Sequence, residues 1–390
     1  MQPKGGLDVQ PVIDWLIDAK PGRDPKEWLR LMCERMRQAG IRVDRVVIFV
    51  RPLHPNVVAR AFYWLRDSPE VAEYEEGYGF LSTEAYLASP VPVVLATRRE
   101  LRRRLLEPHT AMDFPVLHDL RKDGMTDYLV TPLEFLSGEV QVISFATRAA
   151  GGFGDAELNG IERIKPAMTR IMEIYALTRK ASNILDAYLG RQAGEKVLQG
   201  RIQRGDMERI QAVIWFCDLR DSTPLAEAMG PGAFLAALND YFECVLGPVL
   251  EREGEVLRFI GDAALAIFPL GDDPAGAAER AVHAARDALT RMHLLNERRE
   301  KDGMAALGFG IGLHLGEVLY GNIGTRVRLE FTVVGAAANE AARIEALCKT
   351  LDVPLLVSRE VASQVPADWK ALGSHALRGV AKPIDLFTLS

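Results

Sequence analysis

The run Ala212-Val213-Ile214-Trp215-Phe216 constrains this chain more than any other segment. An unbroken apolar stretch of that length reads as a buried strand, and a carboxylate, Asp218, stands just past its end. A second apolar run, Val256-Leu257 through Ile260, leads in the same way to Asp262. After Asp218 the residues Asp221-Ser222-Thr223-Pro224 open an Ala/Leu-rich stretch, the pattern of a helix start. Free amides and the positive end of a helix dipole attract an anion, while carboxylates hold a hard cation through oxygen. The two segments therefore suit a phosphate accompanied by its divalent cation. Nearer the C-terminus, Thr332-Val333-Val334-Gly335-Ala336-Ala337-Ala338-Asn339-Glu340-Ala341-Ala342-Arg343 adds an amide and a guanidinium four residues apart, a combination suited to a nucleoside triphosphate.

With 390 residues the chain can hold two domains with sizeable cores. Its 48% hydrophobic and 26% charged residues are those of a globular protein. A net charge of −6 argues against general nucleic-acid binding, which needs a basic footprint. Cys33, Cys217, Cys244 and Cys348 form no Cys-x-x-Cys pair, so neither a disulfide framework nor a zinc site is expected. The segment Met1-Gln2-Pro3-Lys4-Gly5-Gly6 lacks an apolar signal core, and no run approaches the ~18 apolar residues of a membrane span. A cytoplasmic protein without membrane attachment is expected.

Three regions separate: residues 1–165, 166–206 and 207–390. The first has a helical stretch over Pro25–Gln38, strands at Arg45–Val50 and Ala59–Leu65, and a hairpin of Tyr128–Leu133 with Val140–Ala146 through Ser137-Gly138. Gly151-Gly152-Phe153-Gly154 then leads into a helix with Asp155 as N-cap. The Arg98-Arg99 and Arg102-Arg103-Arg104 cluster reads as the solvated face of a helix whose Leu101 and Leu105 point inward. His54, His109 and His118 are isolated, so a structural or solvent-facing role outweighs haem or metal ligation. This strand pair, Gly-Phe turn and closing helix resemble a GAF-type sensor domain, which implies an unidentified small ligand or signal at the N-terminal domain. In the second region Ile174, Leu177, Ala181, Ile184 and Tyr188 recur at spacings of three and four, an apolar seam of about two heptads. Such a stripe either packs the helix on its own domain or pairs it with a second copy, and the dimer seam is preferred. The third region alternates strands and helices with antiparallel hairpins, which predicts an α+β fold with helices on one face of a largely antiparallel sheet.

Beyond these elements, the third region contains Arg258-Phe259-Ile260-Gly261-Asp262, Gly316-Glu317-Val318-Leu319-Tyr320-Gly321-Asn322-Ile323-Gly324 and Leu377-Arg378-Gly379-Val380-Ala381-Lys382-Pro383. In this order they resemble the catalytic domain of class III nucleotidyl cyclases, the adenylate/guanylate cyclase family. Tyr188-Leu189-Gly190-Arg191 to Gly205-Asp206 resembles the segment preceding that domain in bacterial members. The resemblance implies a ferredoxin-like α+β domain. It also implies two divalent ions, Mg²⁺ or Mn²⁺, held by Asp218 and Asp262. Leu219, Arg220, Asp221, Ser222 and Thr223 would bind the substrate beside them. Arg343 would contact phosphate oxygens in the transition state, and Asn339 would orient the ribose. Taken singly, Asp218 could be an N-cap, Asp262 a turn residue, Arg343 a surface ion-pair partner and Asn339 a capping amide; the ordered set outweighs these readings.

Base selection departs from the family pattern. The adenine-reading lysine falls at Arg258, and its partner position holds Thr332. Arg258 can donate to adenine N1 and equally suits the O6/N7 edge of guanine; Thr332 can accept from or donate to the base. ATP is the expected substrate, giving 3′,5′-cyclic AMP and pyrophosphate, with guanylate or pyrimidine nucleotide cyclisation as alternatives. Ala336 stands where Asp or Asn is common in the family, which lowers the expected activity. The family also implies a homodimer in which the metal aspartates of each site come from one subunit and the base, ribose and arginine residues from the other. A catalytically silent nucleotide-binding module is a further alternative, countered by the retention of Asp218, Asp262 and Arg343. A diguanylate cyclase is disfavoured because Ile260-Gly261-Asp262-Ala263-Ala264 replaces its Gly-Gly-Asp/Glu-Glu-Phe hairpin.

Overall fold

A computed structural model describes residues 6–18 and 24–389, so of the segment Met1–Gly6 all but Gly6 lies outside the described residues. The chain divides into two compact units, one ending at Ile184 and the other beginning at Leu185. The first contains α1 (Gln10–Asp18), α2 (Pro25–Gln38), β1 (Arg45–Val50), β2 (Ala59–Leu65), β3 (Ala72–Glu76), α3 (Glu84–Leu87), α4 (Pro90–Thr97), β4 (Leu101–Arg104), α5 (Pro115–Lys122), β5 (Asp127–Glu134), β6 (Val140–Thr147) and most of α6 (Asp155–Leu189). Its strands form one antiparallel sheet in the order β3-β2-β1-β6-β5-β4. On one face Val46 and Ile48 join Trp28, Leu29, Met32 and Met36 of α2 and Ile161, Ile164 and Met168 of α6. On the other face Phe49 and Val130 pack with Tyr86, Val94 and Leu117 of the short helices.

Two local expectations are corrected here. The arginine cluster is not helical: Leu101–Arg104 is β4, paired to β5. Arg102 reaches the fully buried Asp127 with a 2.5 Å Nη2–Oδ2 contact, and Arg103 and Arg104 pair with Asp113 and Glu107. Burying Asp127 requires a cation partner, and a strand places Arg102 beside it. Asp155 is the first helical residue rather than the cap, and Glu157 instead accepts from the Gly154 amide at 2.9 Å. His54 serves its own turn, its Nδ1 accepting from the amides of Asn56 and Val57.

Along α6 the seam is left open. Ile174, Leu177, Ala181, Ile184 and Tyr188 are all exposed, whereas Ile164, Met168 and Ile171, earlier in the helix, are buried.

The second unit contains α7 (Arg191–Leu198), β7 (Met207–Leu219), α8 (Ser222–Met229), α9 (Pro231–Glu251), β8 (Glu255–Ile260), β9 (Ala263–Pro269), α10 (Pro274–Lys301), β10 (Phe309–Gly324), β11 (Leu329–Val334), α11 (Ala336–Leu351), β12 (Leu355–Ser358), α12 (Arg359–Ala362), β13 (Trp369–His375) and β14 (Ile384–Leu389). Its sheet runs β13-β14-β12-β10-β7-β9-β8, and β11 pairs with the far end of β10. All pairings are antiparallel except β10 with β12. Helices cover both faces, not one. Val213, Trp215, Cys217 and Leu219 pack with Tyr241 and Val245 of α9 and Ala281 and Ala285 of α10. Ala212 and Ile214 pack with Ala337 and Ala341 of α11 and Ala193 of α7. A strand apolar at every residue has two faces to bury, and the run at 212–217 has that composition.

Among the described residues α9 alone is long and apolar enough, by length and composition, to cross a membrane, yet Ala237, Tyr241, Val245 and Val249 on it belong to the domain core. On the other face α11 lies almost directly on β10. A Cβ at Gly312 would sit 2.6 Å from the Glu345 amide nitrogen, and one at Gly316 would sit 2.5 Å from Ala337 Cβ. Only glycine allows so close an approach of helix to strand.

Candidate active site

Asp218 and Asp262 are brought together by strand register. Asp218, next to last in β7, pairs with Ala263 at the start of β9. Ile260 pairs with Ala263 across a two-residue loop, Gly261-Asp262, and Gly261 has φ +67°, which a tight hairpin of this kind requires of its first loop residue. Asp262 therefore stands at the turn immediately beside the end of β7. Asp218 Oδ1 is buried and has no hydrogen-bond partner among the described residues. Burial, and then the charge of Asp262, push the Asp218 carboxyl up to about 6. An aspartate whose ionisation its acidic neighbour disfavours, and whose oxygen is orphaned, forms with that neighbour a donor set that fits a hard divalent cation.

A third carboxylate was not found from sequence. Glu345 on α11 is buried and pushed up to about 7 by burial and then by the charge of Asp218. A Cβ on Gly310 would lie 2.2 Å from its Oε1, and Gly310 is the register partner of Asp218. A Glu in a helix near the chain end carries no local sign of this; only the glycine opposite Asp218 makes room for it.

The segment after Asp218 turns sharply. Leu219 is buried, the Arg220 amide donates to the Gly308 carbonyl, and Arg220 Nη2 donates to the Val353 carbonyl at 2.6 Å. Asp221 is left-handed (φ 54°) and caps no amide with its side chain; Lys349 Nζ meets its Oδ1 at 2.8 Å instead. Ser222 and Thr223 open α8, so their amides are free as at any helix start.

Arg258 and Thr332 come from β8 and β11. Thr332 is buried, and its Oγ1 is unpartnered among the described residues. Arg258 Nε lies 3.0 Å from Glu330 Oε1, an ion pair rather than an aligned hydrogen bond. Glu330 is a second residue that sequence reasoning missed. Its spacing of two from Thr332 puts both on one face of β11, which was the available signal.

Asn339 is exposed on the second turn of α11 and Arg343 is half-buried one turn later. The Arg343 guanidinium borders the turn at Gly379, where a Cβ would sit 3.6 Å from Nη1. Glu345, two residues on, is about 200° around the helix. The face of α11 bearing Asn339 and Arg343 is thus turned from the face that meets Asp218.

Residues 206–387 match the family described as "Adenylate and Guanylate cyclase catalytic domain". This stretch is a class III nucleotidyl cyclase catalytic domain. The cyclase domain is 35% identical over 164 residues to an adenylate cyclase of Anabaena cylindrica, covering 41% of this chain and 32% of that protein. An uncharacterized protein of Mycobacterium tuberculosis is 33% identical over 211 residues, covering 53% of this chain and 37% of its own length. The chain thus spans about a third of the length of these curated relatives. A bacterial light-regulated adenylyl cyclase of known structure shares the fold at 18% identity and TM-score 0.50, covering 70% of this chain and 88% of that one.

Proposed function

We propose that the chain is a homodimeric adenylate cyclase whose N-terminal unit is a GAF-like sensor, with domains at 1–165 and 207–390 joined by a helical linker, acting in the cytoplasm. The observation that carries the catalytic reading is the Asp218–Asp262 pair, with its raised Asp218 carboxyl and unpartnered Oδ1. These two side chains hold Mg²⁺ or Mn²⁺, and the bound ions stabilise charge on the attacking ribose 3′-oxygen and the leaving pyrophosphate. The amides of Ser222 and Thr223 receive phosphate oxygens at the start of α8. Arg343 donates bidentately to phosphate oxygens as charge develops there, and Asn339 holds the ribose in the attacking orientation.

The turning of Asn339 and Arg343 away from the Asp218 side of α11 supports a site completed by a second chain. The open stripe on α6, with Ile174 and Leu177 each about half exposed, supports a parallel seam between the two copies. Inserting four residues after Tyr188 shifts the register of that seam. The expected result is altered activity together with a lost or inverted response to whatever the N-terminal unit senses; unchanged activity and response would exclude the seam as transmitter.

ATP is the substrate in this reading, with Arg258 donating to adenine N1 and Thr332 accepting from the exocyclic amine. One observation favours a second reading. Beside Arg258, Glu330 offers a carboxylate, which could accept from N1–H and the 2-amino group of guanine while Arg258 donates to O6. Incubation of the purified protein with each of the four ribonucleoside triphosphates and Mn²⁺, followed by chromatography of products, decides between them. Cyclic AMP as the main product supports the first reading, cyclic GMP the second, and no cyclic product from any nucleotide would overturn both. On the ATP reading, Glu330→Ala lowers kcat/KM for residual GTP use by about tenfold or more, and for ATP by less.

A further inference from the structure

On the face of β10 that receives α11, alternate residues are Gly310, Gly312, His314 and Gly316. His314 is the one side chain larger than a hydrogen atom in that stripe, and it is 5% exposed. Its Nε2 lies 2.9 Å from Glu340 Oε2. The contact joins the buried imidazole to a carboxylate that is itself only 21% exposed. Nδ1 has no hydrogen-bond partner among the described residues, and the nearest carboxylate to it, Glu360 Oε2 at the start of α12, is 3.8 Å away.

Elsewhere along this stripe α11 meets the strand through Ala337, the Ala341 carbonyl, Glu345 and Cys348, whose Sγ lies 3.5 Å from the Ile311 carbonyl. These contacts mainly resist separation of helix and strand, and the Cys348 thiol is only a weak donor. The His314–Glu340 ion-pair contact joins two polar groups held away from most solvent, so it favours one position of the helix on the strand more sharply than the apolar contacts do. Glu340 follows Asn339 directly and precedes Arg343 by three residues, so the pair acts on the two turns that carry both.

We propose that His314 and Glu340 form a register pin that sets where α11 stops on β10, and so positions Asn339 and Arg343 for the reaction; this rests on the cyclase reading above. Both are positioning residues: nothing in the proposal has them touch substrate.

The test uses full-length dimeric protein carrying Glu340→Leu, His314→Leu, both together, or Glu340→Gln. Each leucine variant is expected to lose about tenfold to a hundredfold in kcat with nucleotide KM within about threefold of wild type, since base contacts lie on β8 and β11. The double variant should lose no more than the worse single one. Glu340→Gln, which keeps an acceptor for His314, should retain most of the activity. Independently of activity, amides of residues 336–343 should exchange with deuterium at least about tenfold faster in Glu340→Leu, with β7 unchanged. Losses that multiply in the double variant would overturn the proposal. So would a lowered melting temperature with unchanged kcat per active site and unchanged exchange, which would leave the pair a stabilising contact only. A wild type that makes no cyclic product would refute the cyclase reading instead, and the exchange measurement would still decide the pin.

Discussion

Asp218→Asn is expected to reduce cyclic nucleotide formation at least about 10³-fold, because it removes one of the two carboxylates proposed to hold the ions at the reacting phosphate. Arg343→Ala should be comparably inactive by itself. If the two groups serve one site from different chains, mixing the variants restores activity. In an equimolar random mixture half the dimers are heterodimers, each with one intact site and one doubly damaged site, so recovery should approach about a quarter of wild type. Verified heterodimers that stay inactive would place Asp218 and Arg343 in the same chain's site. The neutral Asn keeps the shape of the aspartate, so this loss is not expected to come from unfolding.

A larger physical effect should appear on adding metal, and its dependence on pH has a definite sign. Asp218 is raised to about 6 by burial and by Asp262, and Glu345 to about 7 by burial and by Asp218, whereas in an unfolded chain both would titrate near 4. Between about pH 4 and 7 the folded protein therefore binds more protons than the unfolded one, and its stability falls as pH rises through that window. Mn²⁺ replaces the missing protons. At 100 times its dissociation constant a ligand of the native state contributes about 2.7 kcal/mol, which for a domain of this size is a rise of about 5–10 °C in melting temperature. The increment should be largest near pH 7.5 and should shrink towards pH 5, where protons compete for the same oxygens. Asp218→Asn should abolish most of the increment and, without metal, melt at or above wild type at pH 7.5. A metal-induced shift that is independent of pH, or one that persists in Asp218→Asn, would contradict the assignment. Differential scanning fluorimetry across pH reads all of this.

How legible the molecule was depends on whether a property is local. The strand ending at Asp218 and the hairpin at Gly261-Asp262 could be read because an apolar run and a two-residue turn declare themselves over a few positions. The helix at Pro25–Gln38 was likewise bounded by its own proline and apolar spacing. Leu101–Arg104 was misread because Leu101 and Leu105, four apart with arginines between them, fit one face of a helix, and the deciding partner, Asp127, is 25 residues from Arg102. Gly316 and Glu317 break the apolar pattern of β10 in the sequence; the strand continues there because β7 pairs with it through Gly321. Glu330, Glu345 and the His314–Glu340 pair escaped for one common reason: each acquires its role from a group on another element.

The bare glycine face of β10 has a mechanical meaning. With no side-chain bumps at Gly310, Gly312 and Gly316 and no spare clearance above them, β10 holds α11 close, and the proposed His314–Glu340 pin is what would check lengthwise travel of that helix. Asn339 and Arg343 ride on it together, so both advance or retreat in step.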